Sequence, residues 1–223
     1  MKISIKICGI SSIEILRKLE TLNIDYIGFI FYEKSKRYID AKKAEEISKS
    51  INSKIKIIGV FVDPSDNYIA KILNRVPLSG IQLHGKETPN RIKEIKNQTN
   101  ILTIKAIPIE REEDLKNIEI YNDVCDYFLL DKKNISKTGF NGGTGENFDW
   151  NIISRNKNWL NQFKPWILSG GLNIYNIKEA IEITGTKAID VSSGIEYNTG
   201  IKSIELMDLF VKKIYRKNSE VRE

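Results

Sequence analysis

The chain has 223 residues, of which 41% are hydrophobic, and a formal net charge of +6. That length suits one large α/β domain with a sizeable core and is short for two. No apolar run reaches the roughly 18–20 residues of a membrane-spanning helix, so no membrane partner is expected. The opening MKISIKICGI is too short and too strand-like for a signal peptide. The two cysteines, Cys8 and Cys125, make no disulfide framework, and a reducing cytoplasm is expected. Lys and Arg are mixed with Glu and Asp nearly everywhere, without the basic stripe and interleaved aromatics of a nucleic-acid binder. A mild positive field of this kind still helps to capture an anionic small molecule.

Strand and helix patterns alternate along the whole chain. Residues 4–8 read as a strand, followed by a helix with Ser11 and Glu14 at capping-box spacing and an apolar stripe of Ile15, Leu16, Leu19 and Leu22. A second strand spans 26–31. Asp40 caps the next helix, which turns Ala44, Ile47 and Ile51 inward, and 56–62 is a third strand. Asp63-Pro64 reads as a cap followed by proline at the first helical position, with Ile69, Ile72, Leu73 and Val76 at helical spacing beyond it. Residues 80–84 form a short fourth strand. Thr88-Pro89 opens a helix with Ile92 and Ile95 buried. A fifth strand at 101–107 leads to a weak helix near 112–118, and 127–131 is the sixth. A glycine-rich loop, 138–145, precedes a helix expected over 149–163, with Trp150, Trp159 and Phe163 as core candidates.

The stretch 166–196 organises the rest. Two apolar strands, 166–168 and 188–191, run out into Ser169-Gly170-Gly171 and Ser192-Ser193-Gly194, with a helix between them whose Asn176 and Glu179 have capping-box spacing. Glycine turns let backbone approach a ligand, and helix N-termini offer free N–H groups to anions. Two such turns on neighbouring parallel strands make a phosphate cradle, although strand-to-helix turns also use glycine for geometry alone. A last helix carries Ile204, Met207, Val211 and Ile214 on one face, and the charged tail 216–223 reads as frayed.

Eight strands, most followed by a helix, imply a parallel sheet with right-handed crossovers and predict one (β/α)8 TIM barrel over residues 1–223. An open doubly wound sheet is the rival, but it has fewer strands and places its glycine turn after the first. Here the glycine turns follow the last two strands, where barrels hold phosphate.

A barrel's active site lies at the C-terminal ends of its strands. Cys8 ends the first strand and shares a face with Lys6. A nearby ammonium raises the thiolate fraction, which would make Cys8 a base or a nucleophile, whereas a buried cysteine is commonly inert. Asp131 ends the sixth strand, where partial desolvation suits a carboxyl to general-acid work; the alternative is a loop cap or a pair with Lys132 or Lys133. Arg37 follows the second strand and has the fork that grips carboxylates, or is a surface charge beside Lys34 and Lys36. His84, the one histidine, shares a face with Gln82 and either orients substrate or makes a structural hydrogen bond. No His, Cys and carboxylate cluster has metal-ligand spacing.

Taken in order, KICGI at 6–10, DYIGFIFYEKSKRYI at 25–39, GVFVDPS at 59–65, IQLHGKE at 81–87, LLDKK at 129–133, GGTGENFDW at 142–150, ILSGGLN at 167–173 and IDVSSGIEYNTGIK at 189–202 resemble the phosphoribosylanthranilate isomerase family of tryptophan biosynthesis. The resemblance implies a (β/α)8 barrel that needs no cofactor and performs an Amadori rearrangement on a phosphorylated small molecule. It matches Cys8 to the general base, Asp131 to the general acid and Arg37 to the anthranilate-binding arginine. It matches Gly170, Gly171, Ser193 and Gly194 to the phosphate site. Three positions depart from the family pattern: Lys36 stands in place of a proline before the Arg–Tyr pair, which would loosen the loop of Arg37, Glu146 in place of a lysine, and Ser203 in place of an aspartate. Serine still serves as a helix cap. Rival functions are another phosphosugar barrel such as indole-glycerol-phosphate synthase, a non-catalytic sugar-phosphate sensor, and a basic nucleic-acid module. Barrels of this size occur as monomers and homodimers, and the sequence does not choose between them.

Overall fold

The computed structural model describes residues 2–133 and 148–215. Eight parallel strands close on themselves in sequence order. They are β1 (Ser4–Cys8), β2 (Tyr26–Ile30), β3 (Lys56–Phe61), β4 (Gly80–Leu83), β5 (Leu102–Ile109), β6 (Tyr127–Lys132), β7 (Trp166–Leu168) and β8 (Ala188–Val191). Pairing of β8 back onto β1 sets Lys6 level with Asp190 and completes the (β/α)8 barrel, so the open-sheet alternative falls. The glycine-rich loop expected at 138–145, Glu146, and the tail 216–223 lie outside the described residues.

Side chains alternate along each strand, and the two faces build different cores. Outward residues such as Ile5, Ile7, Ile27, Phe29, Phe61, Phe128 and Leu130 pack beneath the helices in a continuous apolar shell. Inward, Ile58, Ile104, Ala106, Leu129 and Ile167 fill the barrel. Above them Cys8, Ile30 and Val60 form a small patch at the C-terminal mouth. Lys6 and Asp190 occupy inward positions between these levels and are almost wholly buried.

The surrounding helices are α1 (Ile13–Glu20), α2 (Ala41–Lys49), α3 (Asp66–Leu73), α4 (Pro89–Thr99), α5 (Asn117–Tyr121, led in by a 3-10 turn at Glu112–Lys116), α6 (Asn151–Arg155), α7 (Lys157–Leu160), α8 (Ile177–Thr184) and α9 (Ile204–Tyr215). Two expected caps are in place: Asp40 accepts from Lys43 N–H, and Thr88 accepts from Arg91 N–H with Pro89 at the first helical position. Ser203 also accepts from Leu206 N–H, as a cap of α9.

Others differ. The cap position of α1 is Ser12 rather than Ser11, and its side chain makes no capping bond, so the Ser11–Glu14 box does not form. Asp63 adopts φ +45° and its carboxylate accepts from Lys86 N–H at 2.7 Å, tying two loops together; Ser65 caps α3 instead. Asn176 spends its side chain on Asn173 N–H and the Gly171 carbonyl, leaving none for a box with Glu179. The helix expected over 149–163 breaks at Asn156, whose side chain bonds the Ile152 carbonyl and Glu112. A short antiparallel hairpin, β9 (Glu196–Asn198) and β10 (Ile201–Lys202), follows β8 where no element was expected. Among the described residues no helix is long and apolar enough to cross a membrane.

One buried ion pair braces the mouth on the side of β3 to β5. Lys105 Nζ lies 2.7 Å from Glu87, both side chains being almost fully buried, and donates also to the Gly85 carbonyl. Glu87 in turn accepts from the N–H groups of Asp63 and Gly85. A buried charge that loses its partner destabilises by about 3–5 kcal/mol. Glu87→Gln should therefore lower the unfolding free energy by about that amount in urea denaturation. The double variant Glu87→Leu/Lys105→Met should recover part of the loss.

Candidate active site

The strand register explains why a thiol stands at the barrel mouth. Cys8 is the last residue of β1 and lies level with Gly28 of β2. A Cβ on Gly28 would come within 2.6 Å of the Cys8 sulfur, so glycine there makes the space that the thiol fills. Asp131, inward on β6, is level with Pro108 of β5. Both face one cleft, whose lining also includes Arg37, Gln82, His84, Gly170, Gly171, Asp190, Ser192 and Ser193. Sequence reasoning selected Cys8, Arg37, His84, Asp131, Gly170, Gly171 and Ser193, and the fold brings all seven into this cleft from six different strands or their loops. Gly194 is the exception. It lies outside the lining, and a Cβ there would collide with the Leu172 carbonyl, so its glycine serves backbone packing against the β7 loop.

Gly170 has φ +85° and Gly171 φ +66°, a left-handed turn that strongly favours glycine. The turn brings Gly170 against the Asp131 carboxylate and the Lys132 backbone, where a Cβ would approach to 3.0 and 2.7 Å. It thus sets the glycine turn directly beside the Asp131 carboxyl.

The electrostatics differ from the expected activation of Cys8 by Lys6. Lys6 Nζ is bound to Asp190 at 3.0 Å, with both side chains buried. Burial acts to discharge both Lys6 and Asp190, pushing the Asp190 carboxyl up, but their 3.0 Å pairing outweighs it on Lys6 and holds the ammonium charged. For Cys8, burial pushes the thiol above its ordinary range; Lys6 draws it down, Asp190 pushes it further up, and Lys202 draws it down, and burial prevails. Burial at the barrel mouth thus opposes ionisation of the Cys8 thiol.

His84 links Asp131 to Gln82. Its Nε2 lies 3.3 Å from Asp131 Oδ2, and its Nδ1 lies 3.0 Å from Gln82 Nε2. With the amide so placed Gln82 donates to Nδ1, which leaves the histidine proton on Nε2, facing the Asp131 carboxylate. The other oxygen of Asp190 and the amide oxygen of Gln82 are buried in the cleft wall with no hydrogen-bond partner among the described residues.

Arg37 is the best-anchored group. Its Nε and Nη2 each donate to one oxygen of Glu196 at 2.7 Å. The loop that carries it is tied by hydrogen bonds: Ser35 N–H donates to the Tyr32 carbonyl, Arg37 N–H to Ser35 Oγ, and Tyr38 pairs with the end of β2. Sequence reasoning missed Glu196, Lys202 and Asp190. An aspartate in the middle of an apolar strand, at the inward position of Ala188 and Ser192, was the signal for Asp190; the short hairpin that carries Glu196 and Lys202 left none.

The chemistry available at this mouth is proton transfer on an anionic small molecule, which places the chain among the (β/α)8-barrel enzymes. Its relatives narrow that class. The chain belongs to the N-(5'-phosphoribosyl)anthranilate isomerase family, whose sequence model matches residues 5–213. The N-(5'-phosphoribosyl)anthranilate isomerase of Sinorhizobium medicae is 38% identical over 216 residues, 97% of this chain and 99% of the relative. That of Rhodospirillum centenum is 36% identical over 212 residues, 95% of this chain and 97% of the relative. Among solved structures, phosphoribosyl anthranilate isomerase from Thermotoga maritima superposes with a TM-score of 0.83 at 34% identity, covering 95% of this chain and 98% of that one. A phosphoribosyl anthranilate isomerase in complex with reduced 1-(o-carboxyphenylamino)-1-deoxyribulose 5-phosphate has a TM-score of 0.81 at 33% identity, covering 95% of this chain and 97% of that one.

Overfilling a packed site costs about 1–3 kcal/mol. Gly28→Ala should lower stability by about that amount in denaturant unfolding. It should also displace the Cys8 sulfur, seen as a changed rate of Cys8 alkylation by mass spectrometry. An unchanged rate would separate the thiol's position from Gly28.

Proposed function

We propose that this protein catalyses the Amadori rearrangement of N-(5-phosphoribosyl)anthranilate to 1-(2-carboxyphenylamino)-1-deoxyribulose 5-phosphate, a step of tryptophan biosynthesis, with Asp131 as acid and Cys8 as base. The observation that carries the reading is the meeting of Cys8, Asp131, Arg37 and the Gly170-Gly171 turn in one cleft of a chain belonging to this family. The cytoplasm is the compartment in which such a free-thiol biosynthetic enzyme works.

Asp131 donates a proton to the ribose ring oxygen. The bond from that oxygen to C1 breaks as the anthranilate nitrogen forms a double bond to C1 and takes a positive charge. This cation acidifies the proton on C2 and also favours ionisation of the thiol beside it. A neutral thiol pushed up by burial gains more from an arriving cation in a water-poor cleft than it would in water. Cys8 gives up its own proton to solvent as this cation forms; the resulting thiolate then removes the C2 proton, the electrons form the C1–C2 double bond, and the nitrogen becomes neutral. The enolamine then tautomerises to the ketone, a proton reaching C1 as the C2 hydroxyl gives one up. Phosphate bound at Gly170, Gly171 and Ser193 anchors one end of the sugar. Arg37 holds the carboxylate of the aromatic ring at the other, and His84 steadies the Asp131 carboxyl.

The direct experiment mixes purified protein with freshly made phosphoribosylanthranilate and follows loss of its fluorescence. Turnover supports the isomerase, whereas binding without turnover supports a sugar-phosphate sensor. Loss of a positioned acid or base costs about 10²–10⁴-fold in rate. Cys8→Ala and Asp131→Asn should each lower kcat by that range in steady-state assays while circular dichroism stays unchanged. Arg37→Ala should act chiefly by raising KM. Near-wild-type turnover by Cys8→Ala would remove the thiol from the mechanism.

A further inference from the structure

The hairpin after β8 has no counterpart in the strand–helix alternation, yet it delivers two buried charged side chains to the back of the active site. Glu196, at its first position, meets Arg37 edge to edge: Nε to Oε1 and Nη2 to Oε2, both 2.7 Å. Lys202, at its last position, donates from Nζ to Glu196 Oε1 at 2.6 Å. The tip of the hairpin contributes Gly200 N–H to Glu196 Oε2 at 3.0 Å. Lys202 Nζ reaches further, to the carbonyl of Ser192 at 3.0 Å and its hydroxyl at 3.1 Å, and that hydroxyl donates to the Cys8 carbonyl at 3.0 Å. Glu196 therefore has both oxygens engaged twice, and it sits in a chain of contacts from Arg37 to the end of β1. Burial alone would raise its pKa, but Arg37 and Lys202 hold the carboxyl down at about 2, so it is ionised throughout the working range.

We propose that Glu196 is a positioning residue, charge-backed by Lys202, that presents Arg37 to an arylcarboxylate and so sets the enzyme's selectivity for a substrate carrying that group. A guanidinium offers five N–H donors in a fixed plane. Glu196 occupies the side-on edge formed by Nε and Nη2, which leaves the end-on edge, Nη1 with the second hydrogen of Nη2, for a second carboxylate. The rotation that would otherwise let Arg37 wander is frozen before substrate arrives, so less freedom is lost on binding. The charge count also matters. Arg37 with Glu196 alone is a neutral pair; Lys202 adds a second cation on the same carboxylate, bonded to Glu196 Oε1 at 2.6 Å, although burial pulls its ammonium below the ordinary lysine value.

The inference rests on Arg37 as the carboxylate-binding group, and the test separates the two. It compares kcat/KM for N-(5-phosphoribosyl)anthranilate with that for N-(5-phosphoribosyl)aniline, which lacks the carboxylate, and takes the ratio as the readout. A general folding defect lowers both values and leaves the ratio alone. Losing one charge-assisted contact is worth about tenfold in affinity or more. Glu196→Gln and Lys202→Met should each reduce the ratio by about tenfold, through the KM for the anthranilate substrate, with kcat changed by no more than about twofold. Arg37→Ala should reduce it at least as far. If Arg37→Ala lowers the ratio and Glu196→Gln leaves it unchanged, the positioning role is overturned while Arg37 keeps its own. If Arg37→Ala leaves it unchanged, the carboxylate reading of Arg37 fails first and the proposal with it. Should Glu196→Gln not fold, the ratio for Lys202→Met decides.

Discussion

A thiol shut inside a barrel mouth, with its nearest cations already bound to carboxylates, is the constraint on which the rest of the site depends. Lys6 is held by Asp190, and Lys202 by Glu196. Both cations still favour a thiolate, but with their charge shared with these carboxylates they do not offset burial, which pushes the Cys8 thiol up. An enzyme that needs a base at this position must therefore obtain the stabilising charge from elsewhere. In the rearrangement proposed, the substrate supplies it: ring opening places a cation on the nitrogen beside the carbon whose proton must leave. The acid step thus prepares the base step, and the protein need not carry a reactive thiolate between turnovers.

The same pairing explains why so many charges sit inside a structure built of isoleucine and leucine. Lys6–Asp190, Lys105–Glu87 and Arg37–Glu196–Lys202 all lie at or near the C-terminal half of the barrel. The lower interior is lined by Ile58, Ile104, Leu129 and Ile167. Stability comes from the apolar layer and the helix-covered shell. The ion pairs, which contribute little net stability when complete, fix where polar groups point. Arg37 shows the effect most clearly: its Nε and Nη2 edge is committed to Glu196.

Much of this was legible in the sequence because closed barrels translate strand ends into positions around one opening. Once strands 4–8, 127–131 and 166–168 are recognised, Cys8, Asp131 and Gly170 follow as mouth residues without any further geometry. The glycine at 170 was legible for a related reason, since its turn needs a positive φ. Gly194 looked the same in sequence but answers to the Leu172 carbonyl, because a glycine does not say what approaches it. The caps misread at Asp63 and Asn176 are short polar side chains near a helix start that bond elsewhere, Asp63 to Lys86 N–H across two loops and Asn176 to the Gly171 carbonyl within its own turn. The sign of the Cys8 shift was out of reach. Proximity of Lys6 could be inferred from alternation, but its capture by Asp190 depends on barrel closure between residues 184 positions apart.

The most direct test of the account is the ionisation of Cys8 without substrate, read as far-ultraviolet thiolate absorbance of the wild-type protein minus that of Cys8→Ala across a pH titration. A folded-state pKa above the ordinary thiol value of 9.0 means that the difference stays near zero at neutral pH and rises only on the alkaline side of that value. A full thiolate signal at neutral pH in the ligand-free protein would contradict the account, for Cys8 would then be a standing base and the substrate's cation would have no part in forming it.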